Sequence, residues 1–400
     1  MFDEGGQFGV YASARPSMIS PVSALASPDL RVAILHNYRD EQQPSMRLYA
    51  ERLGDALLRR QVGVTRVRPP GVVPPAWRKR SATWNKVDGY LGRFAVYPRL
   101  LYDLRADIIH VVDHGQGYLV AGLDARRTVV TCHDVILVAL AAGRIGSARV
   151  PQVALQLFRI SLEAMKRAAV VVADSTQTKR DLVDLVHVDP DKVIVIYPGL
   201  NQAFSPDRER GLAFRRRFGL ADGPVMLQIG RGFYKNLPSV LRVLRRLREG
   251  GLDVRVARVG PSLTGEDRAL AERLGVASAV VEMGAVPDSD LPALYNAVDL
   301  LLFPSLYEGF GWPPLEAMAS GTPVVCSRAG SLDEIVADAA LTADPEDVEG
   351  LAWHAAAALT DPSVRAALLE RGLAHAARFS WDRTAAEMIA VYRGLHARVG

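Results

Sequence analysis

The chain has 400 residues, 23% charged and 49% hydrophobic, a composition typical of a folded globular protein with two or three domains. Its 48 Lys and Arg residues exceed its 44 Asp and Glu residues by only four, which argues against a protein that coats nucleic acid. Cys132 and Cys326 are too few for a disulfide framework or a zinc site, so a reduced, cytoplasmic setting is expected.

The sequence predicts neither a transmembrane helix nor an N-terminal signal peptide. No apolar stretch reaches the roughly 18 to 20 residues that a transmembrane helix needs. The first 28 residues lack the basic and apolar regions of a signal peptide. We expect residues 1–28 to form a loose N-terminal extension.

From residue 31 onward, short apolar runs alternate with stretches of helical period, a pattern that predicts parallel sheets joined by crossover helices. In the first half we expect strands at 32–36, 108–112, 128–132, 170–173 and 193–197. Helices are expected at about 45–60 and at about 178–186.

The same alternation resumes after a charged run at 207–217. Further strands are expected at 225–229, 254–259, 279–283, 300–303 and 323–326, with helices between them. We therefore predict domains at 29–205 and 206–380. A ligand-binding cleft is expected between them, because open α/β sheets bind ligands beyond the carboxyl ends of their strands.

A short glycine motif, Gly115-Gln116-Gly117, follows one of the predicted strands. It lacks the third glycine of a dinucleotide fingerprint, since Val120 stands in that place. No acidic residue follows about 20 positions later in a second strand. The sequence therefore argues against a nicotinamide or flavin site.

Residues 59–105 carry eleven cations and two anions, so this segment has a net charge of +9 and the rest of the chain −5. The segment also contains aromatic residues, namely Trp77, Trp84, Tyr90, Phe94 and Tyr97. Mixed basic and aromatic residues suit an anionic membrane surface. They suit a solvated, arginine-rich surface equally well. Binding of single-stranded nucleic acid is a third interpretation, less favoured than these two.

The most informative stretch is 303–327, which reads FPSLYEGFGWPPLEAMASGTPVVCS. Gly309 and Gly311 precede a helix expected at 315–320, and Pro313 and Pro314 suit the first turn of a helix. Glycines before a helix N-terminus let backbone N–H groups approach an anion closely. The loop therefore has the form of a phosphate site.

Two carboxylates flank this loop, Glu308 and Glu316, eight positions apart. An ionised carboxylate repels phosphate but accepts strong hydrogen bonds from hydroxyl groups, so sugar and ribose hydroxyls are the expected partners. In the alternative interpretation, Glu316 only interacts with the helix dipole and Glu308 is a solvated loop residue.

A second anion site is expected where the strand at 225–229 ends at Gly230. Arg231 and Lys235 lie there, just before a helix that Asn236 can cap. Two cations at this position suit a leaving diphosphate, although both also suit an ordinary surface. In the first half, His133 follows the strand at 128–132 and is expected to face the cleft, although a lone histidine is more often structural.

Taken together, these residues resemble the retaining glycosyltransferases of family 4, which have the GT-B fold of two facing Rossmann-like, doubly wound domains. The string EGFGWPPLE is similar to that family's signature of two glutamates with seven residues between them. The resemblance covers about residues 129–395 and includes Ser175, Lys179, Tyr197-Pro198-Gly199, Ser305, Gly321-Thr322-Pro323, Gly330-Ser331 and Glu334.

The resemblance implies roles for individual residues. Glu308 would bind hydroxyls of the donor sugar, Glu316 the ribose, and His133 would face the sugar. Arg231 and Lys235 would bind the diphosphate. The implied donor-binding set is Gly230, Arg231, Lys235, Glu308, Gly309, Phe310, Gly311, Leu315 and Glu316, and the implied catalytic set is His133, Arg231, Lys235 and Glu308. Residues 381–400 would form a helix that packs back on the N-terminal domain.

The chain departs from the family at the acceptor side. The family's usual Gly-Gly loop after the first strand commonly serves the acceptor, and here residues 37–46 stand in its place. The resemblance therefore leaves the acceptor site unassigned.

The expected activity is transfer of a hexose from a UDP- or GDP-sugar to a hydroxyl of a glycan or lipid-linked acceptor, with retention at the anomeric carbon. No metal and no separate cofactor are expected, because Lys235 and Arg231 can supply positive charge. The expected location is cytoplasmic, with the inner face of a membrane as a further site through residues 59–105. The alternatives are a GT-B sugar-nucleotide epimerase or hydrolase, and a non-catalytic sugar-nucleotide-binding protein.

Overall fold

The computed structural model describes residues 19–21, 29–37, 44–74, 77, 81–146, 150–220 and 223–399. Two β-sheets, one in each half of the chain, form the centres of two layered α/β domains. The central strands of both sheets are almost wholly buried, as expected for parallel sheets that carry helices on both faces, whereas strands towards the sheet edges are partly exposed.

The N-terminal sheet has the strand order β1-β3-β2-β4-β5-β6-β7. The strands are β1 Ile19–Pro21, β2 Arg31–Leu35, β3 Gly63–Val67, β4 Ile108–Val111, β5 Thr128–Cys132, β6 Val170–Ala173 and β7 Val193–Val195. Strands β2 to β7 are parallel, whereas β1 runs antiparallel to β3 at the sheet edge. Three residues of the predicted extension at 1–28 therefore form an edge strand, and the rest of that extension lies outside the described residues.

Helices cover this sheet on both faces. They are α1 Pro44–Arg59, α2 Ala82–Leu91, α3 Tyr97–Leu100, α4 Ile136–Ala141, α5 Gln152–Met165 and α6 Thr176–Asp184. A π-helical segment, Gly92–Val96, joins α2 to α3. The helix α6 begins after Ser175, whose side chain accepts a hydrogen bond from the Thr178 N–H at 3.0 Å.

The C-terminal sheet has six parallel strands in the order β10-β9-β8-β11-β12-β13. The strands are β8 Val225–Ile229, β9 Arg255–Val259, β10 Val280–Gly284, β11 Leu300–Phe303, β12 Val324–Ser327 and β13 Leu341–Ala343. The helices of this half are α7 Arg208–Arg217, α8 Leu237–Glu249, α9 Gly265–Arg273, α10 Leu291–Asn296, α11 Trp312–Ala319, α12 Leu332–Val336, α13 Val348–Thr360, α14 Pro362–Ala376 and α15 Trp381–Val399. The repeated β/α alternation confirms the predicted pair of doubly wound domains.

The last helix, α15, packs back on the N-terminal domain. Its Trp381, Met388 and Tyr392 are buried in one apolar cluster with Ile34 of β2 and Leu53 of α1. The Tyr392 hydroxyl also lies 2.6 Å from Nδ1 of the buried His110 in β4. The C-terminal segment thus completes the core of the N-terminal domain.

The chain crosses between the domains at Gly199, where there is no room for a side chain. A Cβ atom on Gly199 would lie 2.3 Å from the backbone nitrogen of Trp381. The Trp381 indole N–H donates to the Leu200 carbonyl at 2.8 Å, and Thr384 donates to the Tyr197 carbonyl at 2.8 Å. These contacts fix the outgoing and returning chains side by side.

Large apolar side chains are exposed on the N-terminal domain. One exposed group comes from α2, the π-helical segment and α5, and comprises Trp84, Tyr90, Leu91, Phe94, Val153, Leu157 and Ile160. Tyr118 lies between these elements, with its ring 4.9 Å from that of Phe94 and its N–H bonded to Ser161 of α5. In the part of the chain that the structure describes, no helix combines the length and the apolar character that crossing a bilayer requires.

Candidate active site

The loop after β8 brings Lys235 to the carboxyl end of the C-terminal sheet. Gly230 has a φ of 121° and Gly232 a φ of 95°, values that favour glycine. A Cβ atom on Gly230 would lie 2.7 Å from Cε of Lys235, so the lysine side chain folds tightly over this glycine. Asn236 precedes α8 as predicted, but its side chain does not cap the helix and instead donates to the carbonyls of Pro304 and Pro345 at 3.0 and 2.8 Å.

Lys235 and Glu308 form an ion pair at this edge. Nζ of Lys235 lies 2.6 Å from Oε1 of Glu308, and both side chains are about nine-tenths buried, with exposures of 12% and 11%. The ammonium also lies over the rings of Phe303 and Tyr234, 4.8 and 5.1 Å from their centroids. Aromatic faces attract a cation, so Lys235 is held as a positive charge in a partly dry site.

The glycines beside Glu308 allow close packing against the other domain. A Cβ atom on Gly309 would lie 2.0 Å from the His133 carbonyl oxygen, so only glycine fits between β5 and this loop. Gly311, with a φ of 100°, immediately precedes α11, whose first turn contains Pro313 and Pro314 as predicted. The helix begins at Trp312, three residues earlier than expected.

Glu316 lies within α11 and is buried. The Tyr295 hydroxyl donates to its Oε2 at 2.8 Å. Burial raises the pKa of Glu316 to about 7, while the hydrogen bond from Tyr295 opposes that rise. A carboxyl group in this state changes charge near neutral pH.

A cavity of about 190 Å³ opens onto Glu316 from the interdomain side. It is lined by Ser45, Leu48 and Arg52 of α1, and by Asn201, Gln202, Asp288, Leu291 and Glu316 of the other half and the crossing chain. Neutral and charged polar groups from both domains thus converge on one carboxylate.

His133 is buried and bonded on both ring nitrogens. Nδ1 bonds to Asp174, which follows β6, and Nε2 lies 2.8 Å from the Val112 carbonyl. Burial alone would lower the pKa of His133, but the carboxylate of Asp174 raises it to about 9. The ring is therefore a cation held inside the N-terminal domain, and its predicted contact with a donor sugar stays a prediction.

Three other predicted residues occupy different surroundings. Arg231 is exposed. Leu315 and Phe310 have their side chains in the apolar core of the C-terminal domain, so only their backbone groups could reach a ligand. The structure thus brings Gly230, Lys235, Glu308, Gly309 and Gly311 together, with Glu316 one helix turn beyond.

Hydrogen bonds join the two domains across the cleft. The Thr176 N–H, at the start of α6, donates to Glu334 at 2.7 Å, and Thr178 donates to the Gly309 carbonyl at 3.2 Å. The Tyr307 hydroxyl donates to Asp181 at 2.8 Å. The cleft is therefore closed around the glycine loop in this structure.

Sequence reasoning missed the partners that hold the site residues. Tyr295 and Asp174 are examples, since each lies far along the chain from the residue that it contacts. For Asp174 a signal existed, because it directly follows a predicted strand and so lies at the same sheet edge as His133. Among the described residues, no group of three or more His, Cys, Asp or Glu side chains could hold a metal ion.

Two family models match the chain. The model described as Glycosyltransferase Family 4 matches residues 35–204, and the model described as Glycosyl transferases group 1 matches residues 213–375. The two matches meet at the boundary between the domains and together span most of the chain.

Curated relatives match shorter regions. The chain is 50% identical over 111 residues to O-antigen chain mannosyltransferase B of Escherichia coli, which covers 28% of this chain and 29% of the relative. It is 38% identical over 241 residues to D-inositol 3-phosphate glycosyltransferase of Salinispora arenicola, which covers 56% of this chain and 54% of the relative. The matched regions thus span about half or less of these relatives' own lengths.

Among solved structures, the fold is similar to that of Anabaena HepE in complex with UDP and glucose. The TM-score is 0.71 at 20% identity, over 91% of this chain and all of that one. The two-sheet architecture, the glutamate-containing loop and both family models agree. The chain belongs to glycosyltransferase family 4 and has the GT-B fold of two facing Rossmann-like domains.

Proposed function

We propose that the protein is a retaining hexosyltransferase that moves a sugar from a nucleotide diphosphate donor to an acceptor hydroxyl in glycan or polysaccharide biosynthesis. The observation that carries this proposal is the buried pair of Lys235 and Glu308 beside Gly309. A cation suits the diphosphate, and an ionised carboxylate suits sugar hydroxyls. The names of the relatives, a mannosyltransferase and an inositol phosphate glycosyltransferase, support the same class of reaction.

The donor must rearrange the ion pair when it binds. In the closed structure Lys235 and Glu308 neutralise each other. A diphosphate bound next to Lys235 would pair with its ammonium group in place of Glu308. Glu308 would then be free to accept hydrogen bonds from the sugar. Glu316, with its pKa raised to about 7 by burial, would accept hydrogen bonds from the ribose hydroxyls.

In the proposed reaction the bond from the anomeric carbon to the phosphate oxygen breaks and the bond to the acceptor oxygen forms on the same face. The acceptor proton moves to the departing phosphate oxygen, so atoms and charge balance. Lys235, and Arg231 beside it, would stabilise the negative charge that develops on the phosphate. His133, whose carbonyl oxygen packs against Gly309, would help to hold the glycine loop against the N-terminal domain.

We further propose that turnover does not depend on a divalent metal, because Lys235 already supplies a fixed charge at the diphosphate position. Turnover in excess EDTA should equal turnover in magnesium. Loss of activity in EDTA that magnesium restores would contradict this part of the proposal.

The central test is a thermal-shift and product assay with UDP-glucose and GDP-mannose. A donor that binds the native state raises the unfolding midpoint. We expect one of the two donors to stabilise the wild type and the Lys235→Ala variant to lose both this stabilisation and product formation. The matched control is Lys166→Ala, which breaks an ion pair with Glu163 on α5 and should leave both unchanged. Undiminished product formation by Lys235→Ala would contradict the assignment.

The same assay separates the alternatives. A sugar-nucleotide hydrolase or epimerase would consume the donor at the same rate with and without acceptor, and a binding protein would show stabilisation without turnover. The transferase proposal expects donor consumption to rise when acceptor is added.

We propose, as a second property, that the N-terminal domain associates with anionic membranes. The exposed side chains of Trp84, Tyr90 and Phe94 lie within the segment at 59–105 that carries a net charge of +9. Val153, Leu157 and Ile160 add a stripe on one face of α5. Each cation near an anionic surface contributes about 1 kcal/mol, and the apolar side chains add burial at the interface.

Vesicle co-sedimentation tests this property. With vesicles of phosphatidylcholine and phosphatidylglycerol, the double variant Tyr90→Ser and Phe94→Ser should bind at least tenfold more weakly than the wild type. The control is Trp353→Ser, which changes an aromatic residue that is 75% exposed on the C-terminal domain. Equal vesicle binding by all three proteins would contradict this proposal and would indicate that residues 59–105 form an ordinary arginine-rich surface.

A further inference from the structure

A second cavity lies at the edge of the C-terminal sheet opposite to the candidate active site, and its volume is about 400 Å³. Its lining comes from the start of α7, the ends of α10 and α11, and Arg365 of α14, and it includes Asp299 and Thr322, which precede β11 and β12. Because the strands are parallel, residues that precede them lie at the amino edge of the sheet, whereas the candidate active site lies at the carboxyl edge. The four residues of β11 separate the two edges by about 13 Å, at about 3.3 Å per residue.

Asp299 brings two guanidinium groups together at this cavity. Nη2 of Arg215, on α7, donates to the Asp299 carboxylate at 2.8 Å, and Nη1 of Arg365, on α14, donates to the Asp299 carbonyl at 2.8 Å. The Arg215 and Asp299 side chains are 21% and 30% exposed, so this ion pair is partly open to the cavity that it lines. A third cation, Arg208, lies at the first position of α7 and is exposed. Arginines from two helices thus line one opening.

The two carboxylates of the lining already have partners. The Asp299 carboxylate accepts from the Val225 N–H at 2.8 Å as well as from Arg215. The Asp207 carboxylate accepts from the Arg210 N–H at 2.9 Å and so caps α7. Of the three arginines in the lining, only Arg215 is therefore neutralised by one of these carboxylates.

The other two arginines of the lining lack a counter-ion. In the part of the chain that the structure describes, neither Arg208 nor Arg365 forms an ion pair. A guanidinium group has five N–H donors, and Arg365 uses one of them on the Asp299 carbonyl. Like charges that line one cavity repel each other, so an anion bound between them would lower the electrostatic energy.

The neutral polar side chains of the lining are occupied within the protein. The side-chain donors of Ser320, Thr322 and Asn296 all bond to backbone carbonyls, at 2.9, 2.7 and 2.9 Å. The donors left for a ligand are therefore guanidinium N–H groups, which form their strongest hydrogen bonds with carboxylate and phosphate oxygens. A tetrahedral phosphoryl group directs its oxygens towards donors on different helices, whereas the two oxygens of a carboxylate lie in one plane. The cavity also falls within the range of about 300–1,000 Å³ that small-molecule sites have, which leaves room for a group attached to the phosphate.

We propose that this cavity binds a phosphoryl dianion, as free phosphate or as a small phosphate monoester, between Arg208 and Arg365. The site is separate from the interdomain cleft, and the proposed transferase reaction does not require it. Its lining includes residues 320–322 at the end of α11, so an occupant would contact the helix that carries Glu316.

Isothermal titration calorimetry of the full chain tests the proposal, with sodium phosphate, D-glucose 6-phosphate and D-glucose as probes at equal ionic strength. We expect both phosphates to bind the wild type and D-glucose to bind at least tenfold more weakly than its 6-phosphate. Tighter binding of the 6-phosphate would assign the site to a monoester, and equal or tighter binding of inorganic phosphate would assign it to the free ion. Absence of binding by both phosphates would overturn the proposal, as would equal binding of D-glucose and its 6-phosphate.

Variants of the two unpaired arginines locate the site. Arg208→Gln combined with Arg365→Gln should lose at least tenfold in affinity for the phosphate probes. The matched control is Arg126→Gln combined with Arg245→Gln, which removes the same charge from exposed ion pairs elsewhere and should bind within twofold of the wild type. Arg208→Gln alone alters an exposed side chain, so it should fold as the wild type and still lose at least threefold. Wild-type affinity in the double variant of Arg208 and Arg365 would overturn the proposal.

Lys235→Ala separates this site from the candidate active site. Because Lys235 lies at the opposite edge of the sheet, the variant should bind the phosphate probes as the wild type does. Loss of phosphate binding in Lys235→Ala, with unchanged binding in the arginine variants, would place the anion at the donor edge and overturn the proposal. If neither UDP-glucose nor GDP-mannose raises the unfolding midpoint, the proposed function fails, whereas phosphate binding that depends on Arg208 and Arg365 would still support this site.

Discussion

The two sheet edges that face the cleft are built from different chemistry. On the C-terminal side, glycines surround one buried ion pair, Lys235 with Glu308. On the N-terminal side, amides and histidines surround the carboxylates Asp113 and Asp174. The first edge offers an ion pair and close backbone approach. The second offers neutral amides, the Asp113 carboxylate and the buried ion pair of His133 with Asp174.

This difference indicates a division of labour within one cleft. In the proposed function, the anionic donor binds at the C-terminal edge, where Lys235 can pair with its diphosphate. Breaking one edge should therefore affect one substrate and leave the other edge intact. The following experiments test that separation.

The largest effect is expected for Glu308→Gln. The change removes the ionised acceptor for sugar hydroxyls and the partner of Lys235, so kcat/KM for transfer should fall by about 10³-fold, or about 4 kcal/mol. Steady-state kinetics with saturating acceptor measures this loss. Glu249→Gln, which alters an exposed ion pair with Arg245 on α8, should have kinetics within twofold of the wild type. A loss below tenfold for Glu308→Gln would mean that the C-terminal edge does not bind the donor sugar as proposed.

At the N-terminal edge, Asp174→Asn should mainly affect stability. Removing one partner of the buried His133 pair should cost about 3 kcal/mol in the free energy of unfolding at pH 6. The pKa of His133 is raised to about 9, so the stabilisation is present below about pH 6.5 and is lost as the pH rises through 9. Urea unfolding of wild type and variant should therefore converge by about pH 10.

The control for this change is Asp382→Asn, which breaks the exposed pair with Arg59. It should alter the free energy of unfolding by less than about 1 kcal/mol at every pH. A pH-independent effect of Asp174→Asn would show that the carboxylate packs against His133 without holding its charge.

Glu316 should also make the free energy of unfolding depend on pH, but here the cause is burial of a carboxyl group and not an ion pair. Burial raises its pKa to about 7, so the folded state holds a proton that the unfolded state releases near pH 4.5. Its contribution to stability should fall by roughly 2 kcal/mol between pH 5 and pH 7. The difference between wild type and Glu316→Gln in urea unfolding isolates this contribution. Glu163→Gln, on an exposed site of α5, should show no such trend.

The smallest effect is expected for Tyr307→Phe, which removes the hydrogen bond between the Tyr307 hydroxyl and Asp181 across the cleft. One such bond contributes about 1 kcal/mol, so the open population should rise about fivefold. Small-angle X-ray scattering should detect a larger radius of gyration without donor. Tyr392→Phe, which removes a hydroxyl contact within the N-terminal domain, should leave the radius unchanged.

Much of the fold could be predicted from the sequence because buried parallel strands are continuous apolar runs. Strands β5, β6, β8 and β11 were predicted with the bounds that they have in the structure. Strand β3 was missed because Thr65 and Arg66 interrupt its apolar pattern, and β1 because its pairing with β3 cannot be inferred from three residues. The membership of the fold family rested on a long motif rather than on any one strand.

The candidate site divides in the same way as the two edges. The C-terminal edge was found because Glu308, Gly309, Gly311 and Glu316 are close neighbours in the chain. The polar group at the N-terminal edge was missed because Asn37, Asp113 and Gln116 come together only when β2 and β4 pair. The charge states of buried groups could not be predicted from the sequence either, since the pKa of His133 depends on burial and on a carboxylate 41 residues away.

The helix α15 has a consequence for how the protein is made. Its Trp381, Met388 and Tyr392 fill the core of a domain whose first strands are synthesised more than 300 residues earlier. A ribosome-bound chain that ends at residue 380 would expose the apolar faces of β2 and α1. The N-terminal domain can therefore complete its folding only late in translation, and it should need protection from aggregation until α15 emerges.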